Sequence, residues 1–246
     1  MDRIIYTSMT GAGAAMQRQA VLANNLANAS TTGFRAEMYN FRSVPMQGEG
    51  AKTRVFALEA TSGHSSAAGV AQTTGRPLDA MAVGSAWFAV QGLDGTEAYT
   101  RAGDFQLTAQ GQLVTGNGLP VLSDGGAPID IPQGADVTLG GDGTITAQMP
   151  GQPAQAVGRI KLVTETAQAP LRRGDDGLFR AADGGPLDED PNAQLRPGML
   201  EGSNVNPVEC MVDMIAAARQ FEQQMKLLET AENDDKSAAR LLSTNG

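Results

Sequence analysis

Apolar residues recur every three or four positions through residues 4–34, and this spacing predicts an amphipathic α-helix. The stripe is heptad-like and is interrupted once by a glutamine; it consists of Ile5, Met9, Ala12, Met16, Gln19, Ala23 and Leu26. The other positions are almost uncharged, because Arg18 is the only charged residue between Arg3 and Arg35. A solitary surface helix usually exposes charge to water, whereas the centres of protein interfaces are depleted of it. The pattern therefore predicts a helix that other protein surrounds on more than one side.

Three asparagines, Asn24, Asn25 and Asn28, lie near the end of this helix. Their spacing of three and four residues makes the side chains of Asn24 and Asn25 neighbours of Asn28. Because buried amides need hydrogen-bond partners, one interpretation is that they fix the register against a facing helix. The alternative is that they only cap and fray the helix end. The pattern breaks at residues 30–33, and Phe34 is predicted to begin an extended segment.

A second helix is predicted over residues 206–246. Asn206 is a favourable N-cap, Pro207 suits the first helical position, and Glu209 falls at the capping-box position. Its apolar stripe consists of Met211, Ile215, Ala218, Phe221, Met225 and Leu228. Neither stripe can be buried by an isolated helix, so the two helices are predicted to pair with each other and with neighbouring subunits.

Between the helices the periodicity changes to short alternating runs. Residues 87–90 (WFAV) and 98–101 (AYTR) flank the turn pair Asp94-Gly95, and similar runs separated by Asp-Gly pairs continue along the chain. Strands at this spacing, without helical patterns between them, indicate an all-β module of sandwich or barrel type. Leu107 falls in one such strand and is expected in the core.

The predicted fold is α+β, with coiled-coil-like terminal helices flanking a central all-β domain. The predicted segments are an N-terminal helix (1–34), an extended connecting arm (35–78), the β-domain (79–190), a return linker (191–205) and a C-terminal helix (206–246). Within the arm, residues 61–66 are predicted to form a loop because they are rich in glycine and serine.

Composition narrows the class of protein. The net charge of −9 and the pI of about 4.6 argue against binding to nucleic acid or to a membrane surface, because no basic patch is present. An aromatic content of 4% with 30 glycines favours a thin β-rich body full of turns. The sequence has neither an apolar run of transmembrane length nor a secretory signal, which taken alone indicates the cytoplasm.

No catalytic, cofactor-binding or metal site is predicted, and the chain is not expected to be an enzyme. His64 is the only histidine and lies in the predicted loop, without the convergent partners that a metal site or a catalytic triad needs. The acidic residues 175–176 and 188–190 could supply the paired carboxylates of a glycosidase, but beside Gly and Pro such residues are usually solvated. Cys210, on the first turn of the second helix, is expected to be a small interfacial filler rather than a reactive thiol.

The run ANNLANASTTGFR, residues 23–35, resembles the N-terminal signature of the axial proteins of the bacterial flagellum, which form its rod, hook and hook junction. Residues 77–79, 87–90, 99–105, 116–122 and 201–212 resemble further segments of the same family, in the same order. The opening residues MDRIIYTSMTGA most resemble the proximal-rod members. Two departures are Ala29, where the family often has valine, and Gly84-Ser85-Ala86, where it usually has Gly-x-Gly.

This resemblance implies a structural subunit of the proximal rod that polymerises through its terminal helices into a torque-transmitting shaft and export-channel wall. It implies export by the flagellar type III apparatus without a cleaved signal, a location in the periplasmic basal body, and copies of itself and other rod proteins as partners. Nucleic acid and direct membrane insertion are not among the expected partners. The alternatives are a distal-rod or hook protein, a peptidoglycan-cleaving enzyme, and a soluble monomeric scaffold or chaperone with terminal helices paired in isolation.

Subunit contacts are predicted at one stripe of each helix and at the amides. The assigned residues are Ile5, Met9, Met16, Ala23, Asn24, Asn25, Leu26, Asn28, Met211, Ile215, Phe221, Met225 and Leu228.

Overall fold

The computed structural model describes residues 2–45, 55–166 and 168–243, which form two long helices and sixteen short strands. The helices are α1 (Asp2–Ala27) and α2 (Pro207–Ser243). The strands are β1 (Glu37–Pro45), β2 (Val55–His64), β3 (Ala71–Thr73), β4 (Ala80–Ala82), β5 (Ala86–Gln91), β6 (Glu97–Thr100), β7 (Gln106–Leu107), β8 (Leu113–Val114), β9 (Asp136–Leu139), β10 (Thr144–Gln148), β11 (Gln155–Arg159), β12 (Leu162–Thr164), β13 (Leu171–Arg173), β14 (Phe179–Ala181), β15 (Leu195–Pro197) and β16 (Met199–Glu201). The predicted α+β fold, with a helix at each end and a β-rich domain between them, is confirmed.

The chain forms two compact units, each assembled from segments distant in sequence. Unit 1 comprises Met1–Asn28, Glu37–Gly63 and Val205–Gly246, and unit 2 comprises Ala29–Ala36 and His64–Asn204. Unit 1 therefore contains both helices and most of the β1–β2 pair, while unit 2 contains the other strands. Residues 46–54 of the predicted arm and 244–246 of the predicted second helix lie outside the described residues.

The predicted arm contains paired strands, since β1 and β2 form a two-stranded sheet. β2 continues to His64, so the loop prediction was wrong for residues 61–64. Pairing with a neighbouring strand outweighs the local turn preference of serine and glycine, because strand propensity depends strongly on context. His64 consequently lies at a strand end, where its Nε2 is 3.2 Å from a carboxylate oxygen of Glu165 and its ring packs edge-on against Trp87.

The core of unit 2 is organised around β5, whose sequence AWFAVQ is apolar at nearly every position. The strand lies inside a five-stranded sheet with the order β12–β5–β6–β14–β13. Side chains alternate between the faces of a strand, so Phe88 and Val90 join one buried cluster while Trp87 and Ala89 join a second on the opposite face. The continuous apolar run therefore reflects a strand covered on both faces. A three-stranded sheet of order β11–β10–β9 packs Ile145 into the first cluster.

Leu107 does not belong to this core. It lies in the two-residue strand β7 and is 38% exposed, so the prediction of a core position was wrong. Phe105, two residues earlier and outside β7, is the buried residue of this stretch at 0% exposure. A strand of two residues is too short for its alternation pattern to identify the buried face from sequence.

The ends of the two helices follow local rules. Asn206 caps α2 as predicted, because its side-chain oxygen accepts hydrogen bonds from the backbone N–H groups of Val208 at 3.1 Å and Glu209 at 3.4 Å. At the end of α1, the Asn28 amide donates to the side-chain oxygen of Asn24 at 2.9 Å. Asn24 and Asn28 therefore pair with each other, as their spacing indicated.

Asn25 has a different partner from either sequence interpretation. It is buried, and its amide donates to the backbone oxygen of Glu37 at 3.0 Å while its side-chain oxygen accepts from the Glu37 N–H at 2.9 Å. Both hydrogen bonds join Asn25 to Glu37 at the start of β1. Neither goes to a facing helix or to the end of α1 itself. A side-chain amide presents the same donor and acceptor as a backbone peptide group, so Asn25 extends the strand's pairing onto α1.

Phe88→Ala should lower the free energy of unfolding of unit 2 by about 3–5 kcal/mol, because it empties a fully buried aromatic site. Leu107→Ala is the matched control and should cost about 1 kcal/mol or less, since that side chain is partly in water. Chemical denaturation followed by tryptophan fluorescence measures both, because Trp87 lies in the same sheet. Equal losses would contradict the assigned core.

Asn25→Ala should expose the start of β1, because it leaves both backbone groups of Glu37 without their partner. Local stability should fall by about 1–3 kcal/mol, measured as faster hydrogen exchange of the Glu37 amide. Asn24→Ala, at an exposed position one residue away, should leave that amide unchanged. Faster exchange in both variants would show that the asparagines act only on the end of the helix.

Candidate functional site

The two helices of unit 1 pack against each other in opposite directions. An Arg18 guanidinium nitrogen lies 3.6 Å from an Asp213 carboxylate oxygen, and a Cβ placed on Gly11 would lie 3.0 Å from the side chain of Gln224. Residues early in α1 therefore lie opposite residues late in α2. At 1.5 Å per residue α2 is about 55 Å long and α1 about 39 Å. Roughly ten residues at the end of α2 extend past the start of α1.

The face of α2 that meets α1 has heptad spacing. Every position on it is buried or half-buried: Cys210, Met214, Ala217, Phe221, Gln224, Leu228 and Ala231. Burial raises the pKa of the Cys210 thiol, and the nearby charges of Asp213 and Glu209 raise it further. A raised pKa keeps the thiol neutral, which favours the interpretation of Cys210 as a small packing residue.

The corresponding face of α1 is made of small side chains. Ser8, Ala12 and Ala15 are buried, with exposures of 5%, 7% and 2%, and Gly11 faces Gln224. Small residues allow two helices to approach closely. Gly11 therefore lets α1 lie close to the side chain of Gln224, whereas a Cβ added to Gly13 would meet no described atom within 4 Å.

Three residues of the predicted apolar stripes belong to this contact, namely Ala12, Phe221 and Leu228, but the stripes' methionines and Ile215 lie beside it and are exposed. Met9 and Met16 are 55% and 59% exposed. On α2, Met211, Ile215 and Met225 are 46%, 56% and 46% exposed. The other predicted contact residues divide into exposed ones (Ala23 and Asn24), half-buried ones (Ile5, Leu26, Asn28, Phe221 and Leu228) and the buried Asn25.

Sequence periodicity did not distinguish the two faces of α1. The large apolar residues on one stripe of α1 are Met9 and Met16, whereas serine, glycine and alanine make the internal contact. The available signal was the spacing of small residues at 8, 11, 12 and 15, which resembles the pattern that lets backbones approach closely. Large residues left exposed on the neighbouring stripe are typical of a surface that binds another protein.

A second feature, inside unit 2, is a buried group of three charged side chains that we call the Glu201 cluster: Arg35, Arg101 and Glu201. Their side chains are 3%, 1% and 1% exposed. An Arg35 nitrogen lies 2.9 Å from Glu201 Oε1, and Arg101 contacts Oε2 through two nitrogens, each at 2.8 Å. One carboxylate therefore binds two guanidinium groups, one on each oxygen.

The remaining hydrogen bonds of the cluster go to backbone groups. Arg101 donates to the carbonyl oxygens of Gly84, at 2.9 Å, and Ala86. Arg35 donates to the carbonyl oxygen of Ala67. Burial lowers the pKa of Arg35, and the nearby positive charge of Arg101 lowers it further, while Glu201 acts in the opposite direction. The ion pair thus offsets part of the cost of burying these charges.

Gly33 is required where residues 29–36 approach the backbone of Arg101. Its φ is +68°, and a Cβ at this position would lie 2.3 Å from the backbone carbon of Arg101. Its N–H donates to the backbone oxygen of Glu201 at 2.7 Å. Any larger residue would combine backbone strain with a collision.

The Glu201 cluster unites three segments whose sequences carried the family resemblance. Arg35 ends the run STTGFR, Arg101 lies in YTRAGDF, and Glu201 opens EGSNVNP. Sequence reasoning did not select these residues, because a lone Arg or Glu in an extended segment normally faces solvent. The only available signal was their place within the resembling segments.

Three observations on the described residues concern metal binding, membrane insertion and the acidic residues considered for hydrolysis. They contain no group of three or more His, Cys, Asp or Glu residues able to hold a metal ion. Of the helices described, neither is long and apolar enough to cross a membrane. Two candidate hydrolytic carboxylates contact arginines, since Asp176 lies 2.7 Å from Arg180 and Glu189 lies 3.0 Å from Arg159.

Comparison with known proteins identifies the family. Three family models match in order: "Flagella basal body rod protein" at residues 5–35, "Flagellar hook protein FlgE/F/G D1 domain" at 81–147, and "Flagellar basal body rod FlgEFG protein C-terminal" at 196–241. The chain is 46% identical to the flagellar basal-body rod protein FlgF of Escherichia coli over 252 residues, covering 99% of both chains. It is 45% identical to FlgF of Salmonella typhimurium, again over 99% of both. It is 32% identical to the rod protein FlgG of Bacillus subtilis, over 94% of this chain and 96% of that protein. The chain belongs to the FlgF family of flagellar basal-body rod proteins, which are structural subunits of the flagellar rod.

Proposed function

We propose that this chain is a proximal-rod subunit that polymerises through the outer faces of its paired helices. The observation that carries this proposal is the exposure of Met9 and Met16 on α1 and of Met211, Ile215 and Met225 on α2. These large apolar side chains lie on helices that already contact each other through the small-residue face of α1 and the heptad face of α2. Methionine adapts its shape to different partners, which suits a surface that meets more than one neighbour.

The distribution of charge supports the same conclusion. Between Arg3 and Arg35 only Arg18 is charged, and it pairs with Asp213 of α2. The outer face of α1 therefore has no charge whose desolvation would oppose burial. The central regions of stable interfaces have this composition.

The mechanism of such a subunit is mechanical. Helix pairs from successive subunits bury one another's apolar faces and build a tube around the export channel. The end of α2, which extends roughly ten residues beyond α1, supplies contacts to a further copy. Copies of this chain and other rod and hook proteins are its partners in the basal body, and the flagellar type III apparatus exports it across the inner membrane, without signal cleavage, to the periplasmic rod.

Three alternatives are less well supported. A distal-rod or hook role fits less well, since identity to the FlgF proteins of Escherichia coli and Salmonella typhimurium, at 46% and 45%, exceeds the 32% to FlgG of Bacillus subtilis. A peptidoglycan hydrolase needs free opposed carboxylates, whereas Asp176 and Glu189 contact arginines. A monomeric scaffold would also pair its terminal helices, but its outer helical faces should be polar.

Met16→Glu tests assembly without disturbing the internal contact. Because Met16 is 59% exposed, the purified monomer should melt as the wild type does, within about 0.5 kcal/mol in stability. The subunit should nevertheless fail to enter rods, and the cells should not swim. Ala15→Glu is the matched neighbour: Ala15 is 2% exposed, so this variant should separate α1 from α2 in the monomer. Rod incorporation of Met16→Glu at wild-type levels would refute the proposed face.

A second test addresses hydrolysis. Purified protein should release no muropeptides from peptidoglycan, and Asp175→Ala and Glu189→Ala should leave motility intact. Glu189→Ala frees Arg159, which is a surface change of small energetic consequence. Measurable muropeptide release that either substitution abolishes would revive the enzyme hypothesis.

A further inference from the structure

The backbone passes between unit 1 and unit 2 at four places, after Asn28, Ala36, Gly63 and Asn204. In unit 2 the segments next to these passages are residues 29–36, residues 64–69 and residues 201–204. Any force that the covalent chain carries from the helices into unit 2 must enter through these three segments. How they are held determines how such force is resisted.

Backbone and amide hydrogen bonds connect the three segments to one another. Asn204 accepts from the Ala36 N–H at 2.7 Å and donates through its side-chain amide to the Ala67 oxygen at 2.8 Å. The Ser65 N–H donates to the Ala36 oxygen at 2.8 Å. All three segments are thereby joined at one place in unit 2.

Glu201 connects the same segments through charge. Its Oε1 accepts from Arg35 of the first segment at 2.9 Å and from the Gly69 N–H of the second at 2.8 Å. Its Oε2 binds Arg101, which follows β6 and is anchored on the carbonyl oxygens beside β5. The carboxylate therefore fastens all three segments to the central sheet.

We propose that the Glu201 cluster is the force-transmitting junction of the subunit, the place where torque passes between the terminal helices and the β-domain. This inference rests on the proposed function as a rod subunit. Charge-assisted bonds from two planar guanidinium groups are directional, so they resist displacement of the segments in more than one direction. The Arg35–Glu201 contact involves no residue of the two apolar clusters, so it can be lost without removing a core side chain.

A purely stabilising role is the simpler explanation to exclude. Buried ion pairs contribute little to stability compared with apolar groups of the same volume, although removing one partner is costly. If the cluster only stabilised unit 2, removal of one partner would therefore speed hydrogen exchange throughout the unit. A junction should respond locally, at the amides of the segments it joins.

Hydrogen exchange on the purified full chain distinguishes the two roles. Arg35→Met should speed exchange of the Ala36, Ser65 and Gly69 amides by roughly 10- to 100-fold, because a charged hydrogen-bond partner is lost. The amides of β5 and β6 should keep wild-type protection. A uniform loss of protection across unit 2 would overturn the proposal.

The matched control removes a cation from a different carboxylate of the same unit. Lys161 lies 2.7 Å from Glu97, and the two side chains are 10% and 13% exposed. Lys161→Met should leave the amides of Ala36, Ser65 and Gly69 unchanged. Equal effects of Lys161→Met and Arg35→Met on these amides would also overturn the proposal.

Single-molecule pulling measures the mechanical role directly. Cysteines replacing Ser30 and Asn117 in a Cys210→Ser background apply force between the first segment and the β-domain. Both positions are exposed. Arg35→Met and Glu201→Gln should lower the first rupture force. Lys161→Met should not lower it when each variant is pulled at the same number of degrees below its own melting temperature. Unchanged rupture forces in both cluster variants would refute the junction.

The rod function itself is judged separately. Arg35→Met leaves the exposed faces of α1 and α2 intact, so these subunits should enter rods, and cells should lose swimming speed as medium viscosity rises. Normal incorporation with unchanged speed at high viscosity would refute the junction and leave the rod function standing. If Met16→Glu subunits enter rods at wild-type levels, the proposed assembly face of the helices is refuted. The hydrogen-exchange and pulling results on the monomer do not depend on that outcome.

Discussion

The shared carboxylate of Glu201 is the interaction that joins three segments of unit 2 that are distant in sequence. Two arginines that are distant in sequence bind one buried glutamate. Glu201 lies 100 residues after Arg101. Arg35 precedes the β-domain in the sequence, whereas Glu201 follows it. Burying three charges has a large desolvation cost, which the paired geometry and the backbone hydrogen bonds must offset. An apolar group of the same size would stabilise the domain equally well, but it would not bind Arg35, Gly69 and Arg101 through directional hydrogen bonds.

The two-sided sheet supplies the rigid body to which this cluster is attached. β5 lies between two apolar clusters, so Arg101, which follows its partner β6, is anchored on backbone that cannot shift without disturbing both. Gly33 lets the first segment approach the backbone of Arg101 at a distance that no side chain would allow. A fixed core and a close backbone approach together make the position of Glu201 precise.

Each helix of unit 1 has one face that contacts the other helix and an adjacent apolar stripe that is exposed. Small residues on α1 meet a heptad face of α2, which pairs the helices within the chain. Larger apolar residues on the adjacent stripes stay exposed, which leaves them available for the subunit contacts that we propose. Asn25 adds a third contact by hydrogen bonding to the first residue of β1, so that one helix is in contact with a helix and a strand of its own chain.

The sequence by itself determined the α+β arrangement, the N-cap at Asn206, the turns at Asp-Gly pairs and the family, because these depend on local periodicity and short motifs. Only the tertiary structure decided which helical stripe is internal, since a methionine stripe and a small-residue stripe are both compatible with helical periodicity. It also decided that Leu107 is exposed and that Asn25 binds a strand, because these outcomes depend on what packs nearby. The Glu201 cluster belongs to the same category. Its residues are separated by up to 166 positions, from Arg35 to Glu201, and a charge pairs only with what folding brings within a few ångströms.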